Sequence, residues 1–444
     1  MPTSRRHFIG ATLGAALASA ARAESPQNVS PNDRLRVALI GNGIQGNGDA
    51  RMSIAAGAEL VAVADVYEGR LTRAKEQWGN QIFTTRDYRE VLARKDVDGV
   101  IIAVPDHWHR QMSIDALNAG KDVYCEKPMV QLVQDGHDVI DAEKRTKRIL
   151  QVGSQRVSSV VYQKAKDLIE AGAIGEINLV EAWVDRNSAI GAWQYSIPPD
   201  ASPATIDWDR FIGRAPKRPF EPIRLFRWRN YKDYGTGVGG DLFVHLFSGI
   251  HFILGSNGPT RVYTTGGIRY WKDGRDVPDV MLGLYDYPAH GKYPAFNLSL
   301  RVDFKDGATE TQGFRFVGSE GILTIGQGVT VSKAPNEAEP GQTANTFSSA
   351  VRDEYMKQYR EKYPVRRANA DSMRPQAVET YLPPAGHDAW LEHHRNFLNS
   401  ARSRKPVIED ATFGFRAAGP ALLSNVSYFE ERVCKWDPEA MKMV

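Results

Sequence analysis

Cysteine is scarce in this chain: Cys125 and Cys434 are the two in 444 residues. That excludes a disulfide framework even in an oxidising compartment, where one bridge is the most the chain can form. Cys125 closes an apolar run that reads as a buried strand, which argues against even that bridge. Long apolar runs are also missing. After the first 23 residues none approaches the ~20 residues that a membrane-crossing helix needs, so no stable membrane insertion is expected. There is no internal repeat and no low-complexity tract, which excludes solenoid and disordered classes. His107 and His109 stand one residue apart, but no Cys/His/Asp cluster completes a site around them, so no metal is expected.

The N-terminus is of a different kind. Ser4-Arg5-Arg6-His7-Phe8-Ile9 is similar to a twin-arginine export signal, with a modest apolar stretch to Ala21 and a small-x-small cleavage site at Ala21-Arg22-Ala23. Residues 1–23 are therefore expected to be removed and 24–33 to be a tether. The protein is expected to be exported, periplasmic in a cell with an outer membrane, with the twin-arginine translocation machinery as a transient partner. Removing Arg5, Arg6 and Arg22 from 56 Lys+Arg leaves 53, equal to the 53 Asp+Glu. A net charge near zero gives no support for nucleic-acid binding. The remaining ~420 residues suffice for two domains with full cores.

What is present begins at Leu35. The run Leu35–Ile40 reads as a buried strand, Gly41-Asn42-Gly43-Ile44-Gln45-Gly46 as a glycine turn opening a helix, and Glu59–Ala64 as a second strand ending in Asp65. Gly41 suits the tight turn, Gly43 the approach of a pyrophosphate, and Gly46 close packing of helix on strand, with the helix N-terminus facing the anion. Asp65 lies 19 residues beyond Gly46, near the ~20-residue offset of an acid that accepts a ribose 2′-hydroxyl. NAD is therefore favoured over NADP, with NADP left open by Arg70 nearby. The alternation continues with strands at 82–83, 97–104, 122–125 and 149–153 and helices between them, which predicts a parallel, doubly wound sheet over residues 34–154. Ligands in such sheets sit beyond the carboxyl ends of the strands. Gly41–Gly46, Pro105–His109 and Glu126–Pro128 are three such ends.

Those three segments carry a resemblance. The glycine turn, Pro105-Asp106-His107-Trp108-His109 and Cys125-Glu126-Lys127-Pro128 together resemble the Gfo/Idh/MocA oxidoreductase family, which includes inositol dehydrogenase and glucose–fructose oxidoreductase. The resemblance covers nearly all of residues 34–440. It implies a position for Lys127 beside the nicotinamide and the sugar, where a lysine can hydrogen-bond a reacting hydroxyl. Ile44, Gln45, Pro105, His109 and Glu126 join the glycines, Asp65 and Lys127 as candidate cofactor contacts. Trp108, Gln155, Arg156 and Arg229 are candidate substrate contacts. Trp108 reads equally as core or as a stacking wall, and His107 as structural.

From residue 155 to 444 long strands dominate, at 177–185, 261–265, 280–287, 295–304, 314–317 and 321–325. They predict a large, mostly antiparallel open sheet, so the fold class is α/β plus α+β. The resemblance implies that this domain binds substrate and makes homo-oligomer contacts through its sheet. Residues 335–384 read as an insertion or wrapping arm, and 389–402 and 411–431 as helices. In the glycine-rich stretch before His245, Asp241 stands four residues upstream, a spacing that puts both on one helix face and lets the carboxylate orient the imidazole. The family has such a pair near the hydroxyl to be oxidised. Three positions depart from it: Ser248 where relatives carry an acid, His251 off that face, and Gly414-Phe415-Arg416 in place of Gly-His-Arg.

The expectation is an exported enzyme moving hydride between a sugar, polyol or glycoside and a tightly held, recycled nicotinamide. Lys127, His245 and Asp241 are the expected catalytic residues. The alternatives are an ordinary sugar dehydrogenase with exchangeable NAD, or a non-catalytic carbohydrate-binding protein on the same fold.

Overall fold

A computed structural model describes residues 34–333, 341–363 and 378–444. The predicted leader and tether, and parts of the predicted 335–384 arm, lie outside the described residues. The first sheet is built from β1 (Arg36–Ile40), β2 (Glu59–Ala64), β3 (Phe83–Thr85), β4 (Gly99–Ile102), β5 (Asp122–Glu126) and β6 (Leu150–Gly153), in the order β3-β2-β1-β4-β5-β6. All its pairings are parallel. Parallel strands are covered on both faces, so they need apolar side chains at successive positions. Val37–Ile40 and Val100–Ile102 are accordingly buried throughout. The strand order reverses between β1 and β4, and the glycine turn sits at that point.

The second sheet has ten strands: β7 (Ile177–Asp185), β8 (Arg261–Gly267), β9 (Val280–Tyr287), β10 (Phe296–Asp303), β11 (Thr311–Gly318), β12 (Gly321–Ile325), β13 (Val329–Lys333), β14 (Val378–Tyr381), β15 (Cys434–Asp437) and β16 (Lys442–Met443). β7 and β10 pair in parallel and the other pairs are antiparallel. Burial alternates along β8 and β9, so one face packs on helices Val244–Leu254 and Ala411–Phe429 while the other leaves Tyr263, Leu282 and Leu284 exposed. β13, β14 and the helix Ser349–Lys362 were not anticipated from the sequence. That helix buries none of its side chains, so it shows no amphipathic signal. Cys125 and Cys434 are both free and buried. Among the described residues no helix is long and apolar enough to cross a membrane.

Helix Ala389–Ser403 returns to the first sheet. Trp390 Nε1 donates to Asp49 Oδ1 at 2.8 Å, His394 Nδ1 lies 2.8 Å from Ser53 Oγ, and His393 bridges Ser158 Oγ and the Val152 carbonyl. The sequence between β7 and β8 does something similar from the other side. Residues 197–234, which open on a Pro-rich, aromatic stretch from Ile197 to Phe220, form a strap over the carboxyl end of the first sheet. Glu68 N donates to Thr205 O and Asp207 N to Val66 O, both at 2.9 Å. Tyr67 packs edge-on against Phe226, with ring centroids 5.4 Å apart, and its hydroxyl donates to Asp200 at 2.6 Å. Ile206, Phe211, Leu225 and Tyr234 complete this small second core.

Candidate active site

The glycine turn is shaped for something that approaches its backbone. Gly41 has φ 94°, and a Cβ there would lie 2.4 Å from the Ala103 carbonyl oxygen. At Gly46 a Cβ would lie 1.9 Å from Gly41 O, so the helix beginning at Ile44 can lie against the turn only because that residue has no side chain. Gly43 is different: a Cβ there meets nothing nearer than the Arg70 guanidinium at 3.6 Å. The protein leaves that space open. Ile44, the first helical residue, is 77% exposed at the rim.

A cleft of about 520 Å³ runs from this turn to Arg229, lined by the turn, Asp65, Pro105, Trp108 and Glu126, by Ile190 and Gln194–Ser196, and by the strap from Arg210 to Arg229. Asp65 holds the turn. Its carboxylate accepts from Asn42 N at 2.7 Å and Tyr67 N at 3.0 Å, with Arg70 Nη1 at 3.5 Å. Two oxygens offer about four lone-pair sites, so Asp65 can still accept from a ligand hydroxyl. An open cradle, helix N–H groups and an acid at its edge fit an adenine dinucleotide.

At the far end, Lys127 leaves β5 toward the second domain. Its Nζ donates to Asp241 Oδ1 at 2.8 Å and to the Asp241 carbonyl at 3.0 Å, and Arg229 Nε donates to the same Oδ1 at 3.2 Å. Burial alone would raise the Asp241 pKa, but Lys127 and Arg229 outweigh it and hold the carboxyl below the usual range. Asp106 is the second acid here. Its Oδ2 accepts from both the N–H and the hydroxyl of Thr236, at 2.9 and 2.7 Å, tying the end of β4 to the turn that carries Asp241. Burial, then the Asp241 charge, pushes Asp106 up to about 7.

The predicted Asp241–His245 pair does not form. Gly239–Phe243 is a single π-helical turn, and the α-helix starts only at Val244. The Asp241 charge still acts on His245 across the four-residue spacing, but its carboxylate hydrogen-bonds Lys127 and Arg229 instead. His245 Nδ1 is buried and without a partner. Burial, followed by the Lys127 and Arg156 cations, holds its imidazole well below the usual pKa and keeps it neutral.

Two further expectations are corrected. His109 was expected to contact cofactor or substrate, but it is 1% exposed, with Nδ1 2.7 Å from Pro128 O and Nε2 2.8 Å from Val104 O. It joins the end of β4 to the loop after Lys127, with a backbone carbonyl against each ring nitrogen. Gln155 was expected at the substrate. It lies behind Glu126, donating to its Oε1 at 2.5 Å, while Gln45 donates to the same oxygen at 3.1 Å. Burial, then the neighbouring Asp49, raises the Glu126 pKa well above the carboxylate range.

Trp108 lines the cleft with Nε1 bonded to Phe211 O, and the buried His107 bonds the same carbonyl. Arg156 is exposed on the 3₁₀ turn Gln155–Ser158. The departures at 248 and 251 are structural: Ser248 Oγ donates to Val244 O, and buried His251 bonds the Tyr287 hydroxyl. Sequence reasoning missed Asp106 and the strap. Thr236 is 130 residues from Asp106, so no local spacing signals their tie. The aromatic residues of 208–234 were the available signal for the strap.

Comparison with known proteins follows the same division. Residues 35–154 match an oxidoreductase family's NAD-binding Rossmann fold, and 163–265 match the family's C-terminal alpha/beta domain. The two stretches together cover half of the chain. Inositol 2-dehydrogenase of Salmonella typhimurium is 34% identical over 145 residues, 32% of this chain and 43% of that protein. Glycosyl hydrolase family 109 protein 1 of Shewanella sp. strain MR-4 is 29% identical over 205 residues, 39% of this chain and 44% of that protein. The chain thus spans less than half the length of these curated relatives. Levoglucosan dehydrogenase, in a complex with NADH and levoglucosan, superimposes with TM-score 0.64 at 18% identity, covering 90% of this chain and 99% of that one. An NAD binding oxidoreductase structure from Klebsiella pneumoniae gives 0.64 at 19%, with 90% and 99% covered.

Proposed function

This chain belongs to the Gfo/Idh/MocA oxidoreductase family, and from that premise we propose an NAD-dependent enzyme that oxidises a secondary hydroxyl of a sugar, polyol or glycoside. One observation carries the reading: a dinucleotide-shaped cleft ends at Arg229, behind which Lys127 and Asp241 lie joined. When bound there, NAD supplies the hydride acceptor. The glycine turn and the helix from Ile44 would hold its pyrophosphate, and Asp65 its adenosine ribose. Asp65 favours NAD over NADP, because a carboxylate accepts from a 2′-hydroxyl and repels a 2′-phosphate.

His245, held neutral beside Lys127, takes the hydroxyl proton. Lys127, oriented by Asp241, donates to the oxygen as it gains negative charge. Asp241 holds Lys127 and Arg229 in place.

The twin-arginine-like N-terminus supports an exported protein that folds before it crosses the membrane, with the nucleotide already bound. Free NAD(H) is expected to be scarce there, so the reading extends to a recycled cofactor and a net redox-neutral reaction, in which the electrons taken from the sugar return within the same cycle. The strap supports this extension, because it hydrogen-bonds to Val66 and Glu68 beside Asp65 and roofs the cleft. The exposed Tyr263, Leu282 and Leu284 support oligomer contacts through the second sheet. The test uses protein from the exported fraction, with its extracted nucleotide identified by mass spectrometry. Candidate glycosides or a donor–acceptor sugar pair are supplied with no added nucleotide. Many turnovers per bound NAD are expected. Activity only with excess free NAD and stoichiometric NADH means an exchanging dehydrogenase, and NADP as the sole species removes the role given to Asp65.

A further inference from the structure

Arg229 is held in an unusual way for a residue at a sugar site. Its Nε is fixed on Asp241 at 3.2 Å, and its guanidinium lies over the Trp228 ring, 4.2 Å from the centroid. Its side chain is 22% exposed, and it lines the cleft. Among the described residues its two terminal amino groups meet no acceptor. A planar guanidinium anchored through Nε presents those two groups as a fork, the arrangement that receives an oxyanion with two parallel hydrogen bonds. An arginine on a solvated face would have neither the buried anchor nor the ring beneath it.

The surrounding charge has the same sign. Lys127, Arg156 and Arg186 all act electrostatically on His245. Arg156 sits on the 3₁₀ turn that packs against the His245 helix. Among the described residues neither Arg156 nor Arg186 has a carboxylate within ion-pair distance, and Arg186 donates only to the Gly191 carbonyl, at 2.7 Å. Against these cations and Arg229 stands Asp241, already shared between two of them. Asp106 is bound to Thr236, and, among the described residues, Glu310 and Glu126 act on Arg186 and Lys127 without closing an ion pair with them. A neutral polyol leaves this excess unanswered, since a hydroxyl brings no charge to meet it.

We propose that the substrate is a sugar bearing an anionic group, a carboxylate or a phosphate ester, received by the open fork of Arg229 with the Arg156 charge adding to the attraction. This rests on the reading of the site as a sugar oxidoreductase and narrows its substrate class. Hydrogen bonds to charged partners are strong enough to make the anionic sugar bind about ten- to a hundredfold tighter than its neutral counterpart.

Calorimetric titration of the purified protein with its resident nucleotide tests this. Matched methyl glycosides of the gluco, galacto and manno series are compared as neutral sugar, uronate and 6-phosphate. In at least one series an anionic member should bind at least tenfold tighter, by an advantage that shrinks as salt is raised. Whether the uronate or the phosphate carries it identifies the oxyanion. Arg229→Gln should remove most of the preference, and Arg156→Gln, at an exposed position that does not threaten folding, should reduce it severalfold. Neutral glycosides binding as tightly as both anionic forms in every series, or a preference unchanged in both variants, overturns the proposal. Neutral glycosides that bind and reduce the nucleotide while anionic ones are refused leave the oxidoreductase reading standing and this one refuted. Failure of every sugar to bind refutes both.

Discussion

Asp241→Asn is the most informative single change, because it removes a charge that two buried cations share while leaving the shape of the side chain. Lys127 and Arg229 lie 2.8 and 3.2 Å from the same oxygen, and the three side chains are 9%, 22% and 5% exposed for Lys127, Arg229 and Asp241. At an effective dielectric of about 20, the contacts are worth about 5–6 kcal/mol each before desolvation is subtracted. Removing one partner of a buried ion pair costs about 3–5 kcal/mol, chiefly because the remaining charge stays buried without compensation. Asparagine keeps an acceptor oxygen, so the lower end, about 3 kcal/mol, is expected. Urea denaturation of the wild type and variant measures it. Adding Arg229→Gln removes one uncompensated cation, so the double variant should be more stable than the two separate losses predict, by about 0.5–3 kcal/mol. A loss below about 1 kcal/mol for Asp241→Asn, or strict additivity in the cycle, would show that the shared carboxylate does not hold this end of the cleft together.

Lys127→Ala and His245→Ala should keep bound nucleotide but lose about 10²–10⁴ in turnover, the usual worth of positioned acid–base groups; near-normal rates in both would remove them from the chemistry. Asp200→Ala deletes the carboxylate that receives the Tyr67 hydroxyl, so the strap should loosen and bound NADH should leave severalfold faster, as followed by loss of nucleotide fluorescence. Stability should also vary with pH in a defined way. Burial lowers His107 and His109 to about 4 and His251, His393 and His394 to about 3, so the unfolded chain binds more protons than the folded one below about pH 6.5, and acid destabilises. Burial raises Asp49 and Asp106 to about 7 and Glu126 and Glu409 well above the carboxylate range, so above about pH 4 the unfolded chain releases protons that the folded one keeps, and rising pH destabilises. The two sets oppose each other between about pH 4 and 6.5 and act alone outside that window. Urea midpoints should therefore be lower at pH 3.5 and at pH 8 than at pH 6, and a higher midpoint at pH 8 than at pH 6 contradicts the burial of these acids.

The first sheet was legible because its strands are covered on both faces, so Val37–Ile40 and Val100–Ile102 stand out as unbroken apolar runs between glycine turns. The long strands of the second sheet were legible from alternation, as in β9. Short edge strands such as β14, whose four residues have at most partly buried side chains, carry no such pattern. At the site, local spacing misled where distant partners compete. Asp241 and His245 are four apart, but Lys127 and Arg229 take the Asp241 carboxylate, and Lys127 is 114 residues away in the chain. His109 shows the other limit. Its place at a strand end suggested a ligand contact, and only the full packing reveals the Val104 and Pro128 carbonyls that occupy its ring.

The bonds from Thr236 to Asp106 have a consequence for how the two ligands would sense each other. Asp106 follows the cofactor-side strand β4, and Thr236 begins the turn whose next residues carry Asp241, so there is no slack between the two half-sites. Seating one ligand that displaces the Pro105–Asp106 segment must also displace the Asp241 turn, and the reverse holds equally. Reciprocity then requires that whatever factor the nucleotide adds to sugar affinity, the sugar adds to nucleotide affinity. Where that factor exceeds one, the nucleotide is shed least readily while a sugar is bound, and an empty sugar site becomes the state from which the cofactor escapes.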